Sequence, residues 1–394
     1  MTGGLKHTIL SLLMTMFIAS LIIFDLSSNV LYSNFFNLLL WVAFLIVFIL
    51  EKDYRIPFPN IILTYFLFSM FAIASVLWAV KFNLAYSTGM RLIVVTLNLI
   101  VLYIMFERYR LEKTVLYGIL LGAFYNFLIA FNIIHVSYEI FEFGRFLGTT
   151  GNSNKLANVM IISIFSSLVF LSFSTTKGWF KIYNYLSIML SFYLVVLTVS
   201  KKAMILAPLM ILLSFSVKSL RLKNIILFFI VAYVGYKVAE QYVDMDYLAT
   251  VYELVEKRFM GMLDTFHGQS GDQSSEERAH LISGGLDAFA NHPFIGIGLN
   301  NFRVFFGKYA HNNYIELLVG IGIIGMILFY TIYAFLIQKV YQMDASNLRR
   351  YFGGMIIVLL VMDMATVTYY NKLILFVLLF MYFMAENHME RLEH

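Results

Sequence analysis

Residues 313–338, NYIELLVGIGIIGMILFYTIYAFLIQ, decide the fold. Beyond Glu316 the run holds no charged side chain until Lys339, and that length meets the roughly 20 apolar residues a helix needs to cross a bilayer. The same test applied outward finds further runs beginning near Thr8, Asn34, Ile61, Thr88, Thr114, Leu156, Ile182, Lys202, Ile225, Tyr351 and Asn371. With the run at Asn313 that makes about twelve spans. Composition agrees. The 394 residues are 61% hydrophobic and only 13% charged, with a mean hydropathy of +0.80, too little polar surface for a soluble globule. The expectation is an all-α, polytopic integral membrane protein forming a single membrane domain over residues 1–394.

The flanking basic residues orient it. With the N-terminus inside, the inner loops receive Lys6, Lys52, Arg55, Arg108, Arg110, Lys113, Lys177, Lys181, Lys218, Arg221, Lys223, Lys339, Arg349, Arg350 and Arg391. The short outer loops receive only Lys81, Arg145, Lys155, Lys201, Lys202 and Lys372. Positive charge stays on the cytoplasmic side, so both termini are expected there. Residues 240–311 then form an extracytoplasmic loop between the ninth and tenth spans. Long loops translocate regardless of charge, so the basic residues in it do not disturb the assignment. The first apolar run has span length and lacks a small-residue cleavage site, which predicts a retained anchor. The net charge of +5 is spread over separate loops and implies no nucleic-acid partner. With no cysteine, disulfides and thiolate metal sites are excluded.

The long loop has internal order. Tyr247, Val251, Leu254 and Val255 recur at helical spacing within Tyr242 to Phe266, as in an amphipathic helix at the membrane interface. A polar break follows at Gly268 to Asp272. Ser274 and Glu277 then have the spacing of a capping box, and His292-Pro293 marks the end of the helix they open. At 100° per residue, Ile282, Gly285 and Phe289 share a face with Arg278, while Glu276 and His280 point away. Arg278 therefore sits in an apolar stripe. It either reaches a pocket or snorkels its head to water.

Polar groups then crowd the membrane edge in NHPFIGIGLNNF (291–302) and HNN (311–313). Ionisable groups beside hydrocarbon are functional candidates by default. His311 can be a catalyst, or a packing or capping group at a helix start. Asn313 with Glu316 has capping-box spacing, which gives Glu316 a structural reading too. The helix opening at Asn313 presents free amides and a positive dipole end to the outer face, where an anion is favoured. Gly320, Gly322 and Gly325 read as helix-packing residues rather than a nucleotide loop. Two more outer clusters are RFLGTTGNSNKLAN, from Arg145 to Asn158, and Ser200-Lys201-Lys202. Arg91 and Asp363 lie inside apolar runs, as a structural ion pair or as partners of the site.

A candidate histidine and several cations expected on the outer face, with no thiol, suit glycosyl transfer from a lipid-linked pyrophosphate. The leaving diphosphate needs its negative charge stabilised, a task for arginine and lysine. The acceptor hydroxyl needs a base, and an imidazole can serve at neutral pH. A single displacement inverts the anomeric centre and requires neither a carboxylate pair nor a cofactor. No His, Asp and Glu cluster at metal-ligand spacing is evident, so a metal-independent reaction is expected.

His-Pro-x-x-Gly-x-Gly, then His-Asn before an aromatic, a Glu and a glycine-spaced helix, resembles the O-antigen ligase and polymerase superfamily of bacterial membrane glycosyltransferases. The resemblance covers the whole chain in topology. In sequence it is specific over Arg278 to Gly325 and weaker over Arg145 to Asn158. It implies Arg278 as ligand of the donor pyrophosphate and His311 as activator of the acceptor, with Glu316 the next catalytic candidate. Lys201 and Arg145 would be further pyrophosphate ligands, with Asn312, Asn313, Lys202 and Arg91 in support. Members commonly carry Ser-Arg where this chain has Ser200-Lys201, which keeps the charge but loses the bidentate fork. The resemblance implies a cytoplasmic-membrane enzyme with its active site on the extracytoplasmic face. Its donor and acceptor would be undecaprenyl-pyrophosphate-linked oligosaccharides, with a flippase and a chain-length regulator as partners. A polymerase of repeat units for capsule or exopolysaccharide, a ligase onto lipid A core, and a lipid-linked oligosaccharide flippase are the three readings. Polar groups gathered at one face favour an enzyme over a transporter.

Overall fold

A computed structural model describes residues 3–26, 28–52, 54–173, 178–214, 253–254, 256, 273–344 and 346–390. The span expected near Ile225, the interfacial helix from Tyr242 to Phe266 and the break at Gly268 to Asp272 lie outside them, as do Ser27, Lys177, Lys218, Arg221, Lys223 and Arg391. Among the described residues the chain is almost wholly helical, and eight helices are long and apolar enough to cross a membrane. Two compact units emerge, one of residues 1–52, 113–267 and 345–358, the other of 53–112, 268–344 and 359–394.

The first unit contains α1 (Gly3–Ile23), α2 (Val30–Glu51), α5 (Lys113–Ala130), α6 (Ser153–Ser172), α7 (Gly178–Leu197) and α8 (Lys201–Ser214). Helix α1 packs on α5 through Gly118 and Gly122, where an added Cβ would lie 2.5 Å from Ile18 and 2.7 Å from Ile22. Small residues four apart let two apolar helices approach closely, which replaces the hydrophobic drive missing in lipid. Between α5 and α6 a two-stranded ribbon, β1 (Phe141–Glu142) with β2 (Arg145–Phe146), pairs Glu142 with Arg145. Its turn residues Phe143 and Gly144 both have positive φ, 48° and 72°, as the right-handed twist of a two-residue hairpin demands.

The second unit contains α3 (Asn60–Ala74), α4 (Phe82–Tyr109), α9 (Gln273–Asn291), α10 (Phe302–Phe306), α11 (Asn313–Gln342) and α13 (Lys372–Glu390). Helix α12 (Asn347–Asp363) starts in the first unit and ends in this one. Helices α3, α4, α11 and α13 pack on one another, with Phe68, Phe329 and Tyr369 fully buried where they meet. Helix α9 turns Leu281 and Gly285 inward against Phe302, Ile315 and Val319, so the stripe that holds Arg278 is its packed face. The helix ends at Asn291, immediately before His292-Pro293, because the residue before a proline is driven out of the helical region.

The expectation that the glycines of α11 merely pack is corrected at one of them. Helix α11 is interrupted at Ile321 and Gly322, the latter at φ 66°, ψ −171°. The interruption frees backbone carbonyls and amides, and residues 293–298 bond two of each. Ile297 and Gly298 donate their N–H groups to Val319 O and Gly320 O at 2.9 and 2.8 Å, while Ile323 and Ile324 donate theirs to Pro293 O and Phe294 O at 2.9 and 3.3 Å. On its other side the same loop bonds the α3–α4 junction: Val80 N–H donates to Ile297 O, Trp78 Nε1 donates to Ile295 O and Leu299 N–H donates to Ser75 Oγ.

Glycine is required where the two backbones meet. A Cβ on Gly322 would lie 2.2 Å from Phe294 O, in a conformation essentially closed to other residues, whereas a Cβ on Gly320 meets only ordinary contacts from 3.5 Å. Gly322→Ala is therefore expected to lower the melting temperature of the detergent-solubilised protein sharply, by several degrees or to non-recovery, and Gly320→Ala to leave it within a degree or two. Equal behaviour of the two variants in a thermal-shift assay would show that the interruption does not carry the fold.

Candidate functional site

The expected catalytic residues gather at the start of α11. Asn312 is its N-cap, its side-chain oxygen accepting from Ile315 N–H at 3.2 Å. This corrects the capping box expected of Asn313 and Glu316, and the reason is register. Asn313 is already helical, and its side chain is a buried latch. Its Oδ1 accepts from Thr368 N–H and Tyr369 N–H at 2.9 and 3.2 Å, and its Nδ2 donates to Tyr330 OH and Asp363 Oδ2 at 3.1 and 3.3 Å. Asp363 also accepts from Tyr330 OH at 2.8 Å and Thr368 Oγ1 at 2.5 Å. These donors meet the buried Asp363 carboxylate.

Glu316 is 2% exposed, and its Oε2 accepts from Ala310 N–H at 2.8 Å. It reaches back to brace the turn that holds His311. That turn is strained: His311 has φ 54°, left-handed backbone that few non-glycine residues adopt and that stores about 1 kcal/mol or more. Its imidazole lies 4.0 Å, centroid to centroid, from the Tyr309 ring. Strain held in place by a cap on one side and a buried carboxylate on the other is typical of a residue whose direction matters.

Two guanidinium groups lie within electrostatic reach of Tyr309 in this turn. Arg278 is half-buried on the packed face of α9 and within electrostatic reach of Tyr309 and Glu277. Glu277 bonds Lys308, tying α9 to the segment before His311, and is itself within reach of His311. The Lys308 bond and charge hold the Glu277 carboxyl below the ordinary carboxylate value, so the contact persists at neutral pH and is lost only as pH falls through that lowered value. Partial burial raises the Tyr309 hydroxyl above the ordinary phenol value, with Arg278 and Arg303 opposing. Arg303 was not singled out from sequence. It lies within reach of Glu316, Tyr309 and Tyr370, and the signal for it was a basic residue between the Gly-x-Gly loop and His311.

Arg145, Lys201 and Lys202 belong to the first unit, and the structure joins the two outer clusters expected there. Arg145 Nε donates to Thr198 O at 3.1 Å, and Ser200 Oγ pairs with Asn154 Oδ1 at 2.8 Å. The turn from Arg145 to Asn154 thus lies against the start of α8. Asn152 caps α6 through Asn154 N–H and Lys155 N–H, and Lys155 pairs with Asp25 at 3.1 Å. Burial raises the Asp25 carboxyl and Lys155 opposes it. A second buried amide, Asn126, holds the turn by accepting from Thr149 N–H at 2.9 Å. Arg91 is exposed on α4, within electrostatic reach of Tyr370 and Lys372.

Residues 186–330 match the family model described as O-antigen ligase. The match contains Lys201, Lys202, Arg278, Arg303, His311, Asn312, Asn313 and Glu316. No curated protein matches the chain.

The two asparagines make separable predictions. Asn312→Ala removes a cap and is expected to destabilise by about 1 kcal/mol. Asn313→Ala strands two buried amides and takes a donor from a buried carboxylate, so about 3 kcal/mol or more is expected. His311→Gly removes the imidazole but suits the left-handed backbone, and should leave stability unchanged or slightly raised. Thermal unfolding in one detergent ranks the three. A larger loss for Asn312→Ala than for Asn313→Ala would contradict the latch.

Proposed function

We propose that this chain, a multi-pass membrane protein carrying the O-antigen ligase and polymerase signature over residues 186–330, is a polysaccharide polymerase. It joins undecaprenyl-pyrophosphate-linked repeat units on the outer face of the bacterial cytoplasmic membrane. The observation that supports glycosyl transfer, common to polymerase and ligase, is His311, held in left-handed backbone between the Asn312 cap and the Glu316 brace, with Arg278 within electrostatic reach of the neighbouring Tyr309.

In the proposed reaction the acceptor hydroxyl oxygen bonds to the anomeric carbon of the donor as the carbon–oxygen bond to the diphosphate breaks. His311 takes the hydroxyl proton, and the electron pair leaves with the lipid diphosphate. Arg278 receives that charge through paired N–H donors. Glu316 positions the histidine turn, and becomes the next candidate base only if His311 proves dispensable. Lys201 and Arg145 stand as further phosphate ligands, with Lys202, Asn312, Asn313 and Arg91 in supporting roles. The match to the O-antigen ligase family favours a second reading of the same chemistry, a ligase that moves finished polysaccharide onto lipid A core.

The purified protein incubated with lipid-linked repeat units should give a ladder of products, whereas a single transfer to a core acceptor would make it a ligase. Activity is expected to survive excess EDTA; a loss that Mg²⁺ or Mn²⁺ restores would sink the metal-free route. His311→Ala should lower turnover about 10²- to 10⁴-fold, the usual worth of a general base. Arg278→Lys should impair turnover despite the retained charge, because a point charge does not reproduce two directed bonds. Wild-type ladders from a folded Arg278→Ala protein would assign that side chain to snorkelling.

A further inference from the structure

Lys81 and Arg303 line a surface cavity of about 450 Å³ together with Phe82, Asn83, Leu84 and Val304. Its two walls are fastened to each other. Lys81 N–H donates to Asn301 Oδ1 at 2.6 Å, and Asn301 Nδ2 donates to Lys81 O at 3.4 Å. Phe302, fully buried and stacked on Phe306 at 4.4 Å, anchors the short helix that carries Arg303. The cavity is therefore a fixed feature of this unit.

Its charge is unbalanced. Among the described residues neither Lys81 nor Arg303 makes an ion pair. Arg303 Nε is buried without a hydrogen-bond partner, an arrangement that is unfavourable until an acceptor arrives. The carboxylate within reach of Arg303 is Glu316, which already accepts from Ala310 N–H. The first-turn amides of α4, at Phe82, Asn83 and Leu84, have no partner within the helix and add charge of the same sign. The two cations and the unmet guanidinium donor carry the site, and the helix end reinforces them.

We propose that this cavity is an oxyanion subsite for a phosphate group, with Arg303 supplying directed donors and Lys81 a point charge. Two sources bear that chemistry: the diphosphate of a lipid-linked saccharide and the headgroup of a bilayer phospholipid. Only the first rests on the glycosyltransferase reading. In that case the subsite lets the protein hold the donor through a second cation on the unit that carries His311.

The test is direct titration of the full-length protein in uncharged detergent with inorganic diphosphate, read by calorimetry at low and high salt. Wild type should bind, more weakly as salt rises. Arg303→Gln and Lys81→Gln should each weaken binding roughly tenfold, the worth of one charge-assisted bond, with Arg303→Lys between wild type and Arg303→Gln and melting temperatures unchanged within a few degrees. Nanodiscs separate the sources: anionic phosphatidylglycerol that displaces diphosphate, where phosphatidylcholine does not, assigns the cavity to a headgroup. Without such displacement, Lys81→Gln should raise KM for lipid-linked donor with little change in kcat. Absence of diphosphate binding by wild type, or equal binding by wild type and both glutamine variants, overturns the subsite. Intact binding with no transfer to any lipid-linked acceptor would instead remove the glycosyltransferase reading and leave the subsite standing.

Discussion

The second unit depends on one constraint: a helix interrupted inside an apolar environment must have its freed backbone groups satisfied by protein. An unmet amide or carbonyl there costs several kcal/mol, which is why broken helices survive only where other backbone meets them. Residues 293–298 do so at both sides of the break in α11, giving two N–H groups and receiving two. Sequence explains the fit. Pro293 has no N–H to waste, and Gly296 and Gly298 take positive φ, 66° and 103°, so that the loop can lie flat on Val319 and Gly320.

The same loop fixes what lies downstream. Leu299 bonds Ser75, Asn300 Nδ2 donates to Thr88 Oγ1 at 2.8 Å, and Asn301 holds Lys81. Phe302 then buries, and the chain has only a few residues before Asn312 must cap α11. His311 falls in that short return with nowhere to relax. Its left-handed backbone is the consequence of a path pinned by the loop on one side and by the Asn313 latch on the other. Removing the latch should therefore disturb the histidine as well as the helix junction.

Much of this was legible in sequence, and the misses share a cause. Period and length found the helices, the end of α9 at His292-Pro293, the packed stripe bearing Arg278 and the opening of α8 at Lys201. The twelve-span count exceeds the eight helices that qualify among the described residues: the run near Ile225 lies outside them, as do the residues after α8, and α8, α12 and α13 are not among the eight. Capping was placed one residue late, because Asn312 and Asn313 are chemically identical and only the three-dimensional partners tell cap from latch. The interruption at Gly322 was hidden for a similar reason. A glycine in an apolar helix packs or breaks it depending on whether another backbone is present to receive the freed groups, and here that backbone, residues 293–298, lies well upstream in sequence. Gly118 and Gly122, four apart in α5, were a readable signal that went unused.

Charge, finally, bears on the proposed diphosphate donor. Acidic side chains around the clusters are already engaged within the protein: Glu316 by Ala310 N–H, Asp363 by Tyr330, Thr368 and Asn313, Glu277 by Lys308, and Asp25 by Lys155. An engaged carboxylate is a poor partner for a further cation, because its lone pairs and its field are partly spent. Arg278 and Arg303 lie within electrostatic reach of Tyr309, two residues before His311. A neutral saccharide would gain little from such a surface. A diphosphate gains charge-assisted bonds in a partly dehydrated setting, and it gains more as negative charge builds on the departing oxygen. On the proposed reading, the engagement of these acids elsewhere leaves the cations available to a donor that brings its own negative charge.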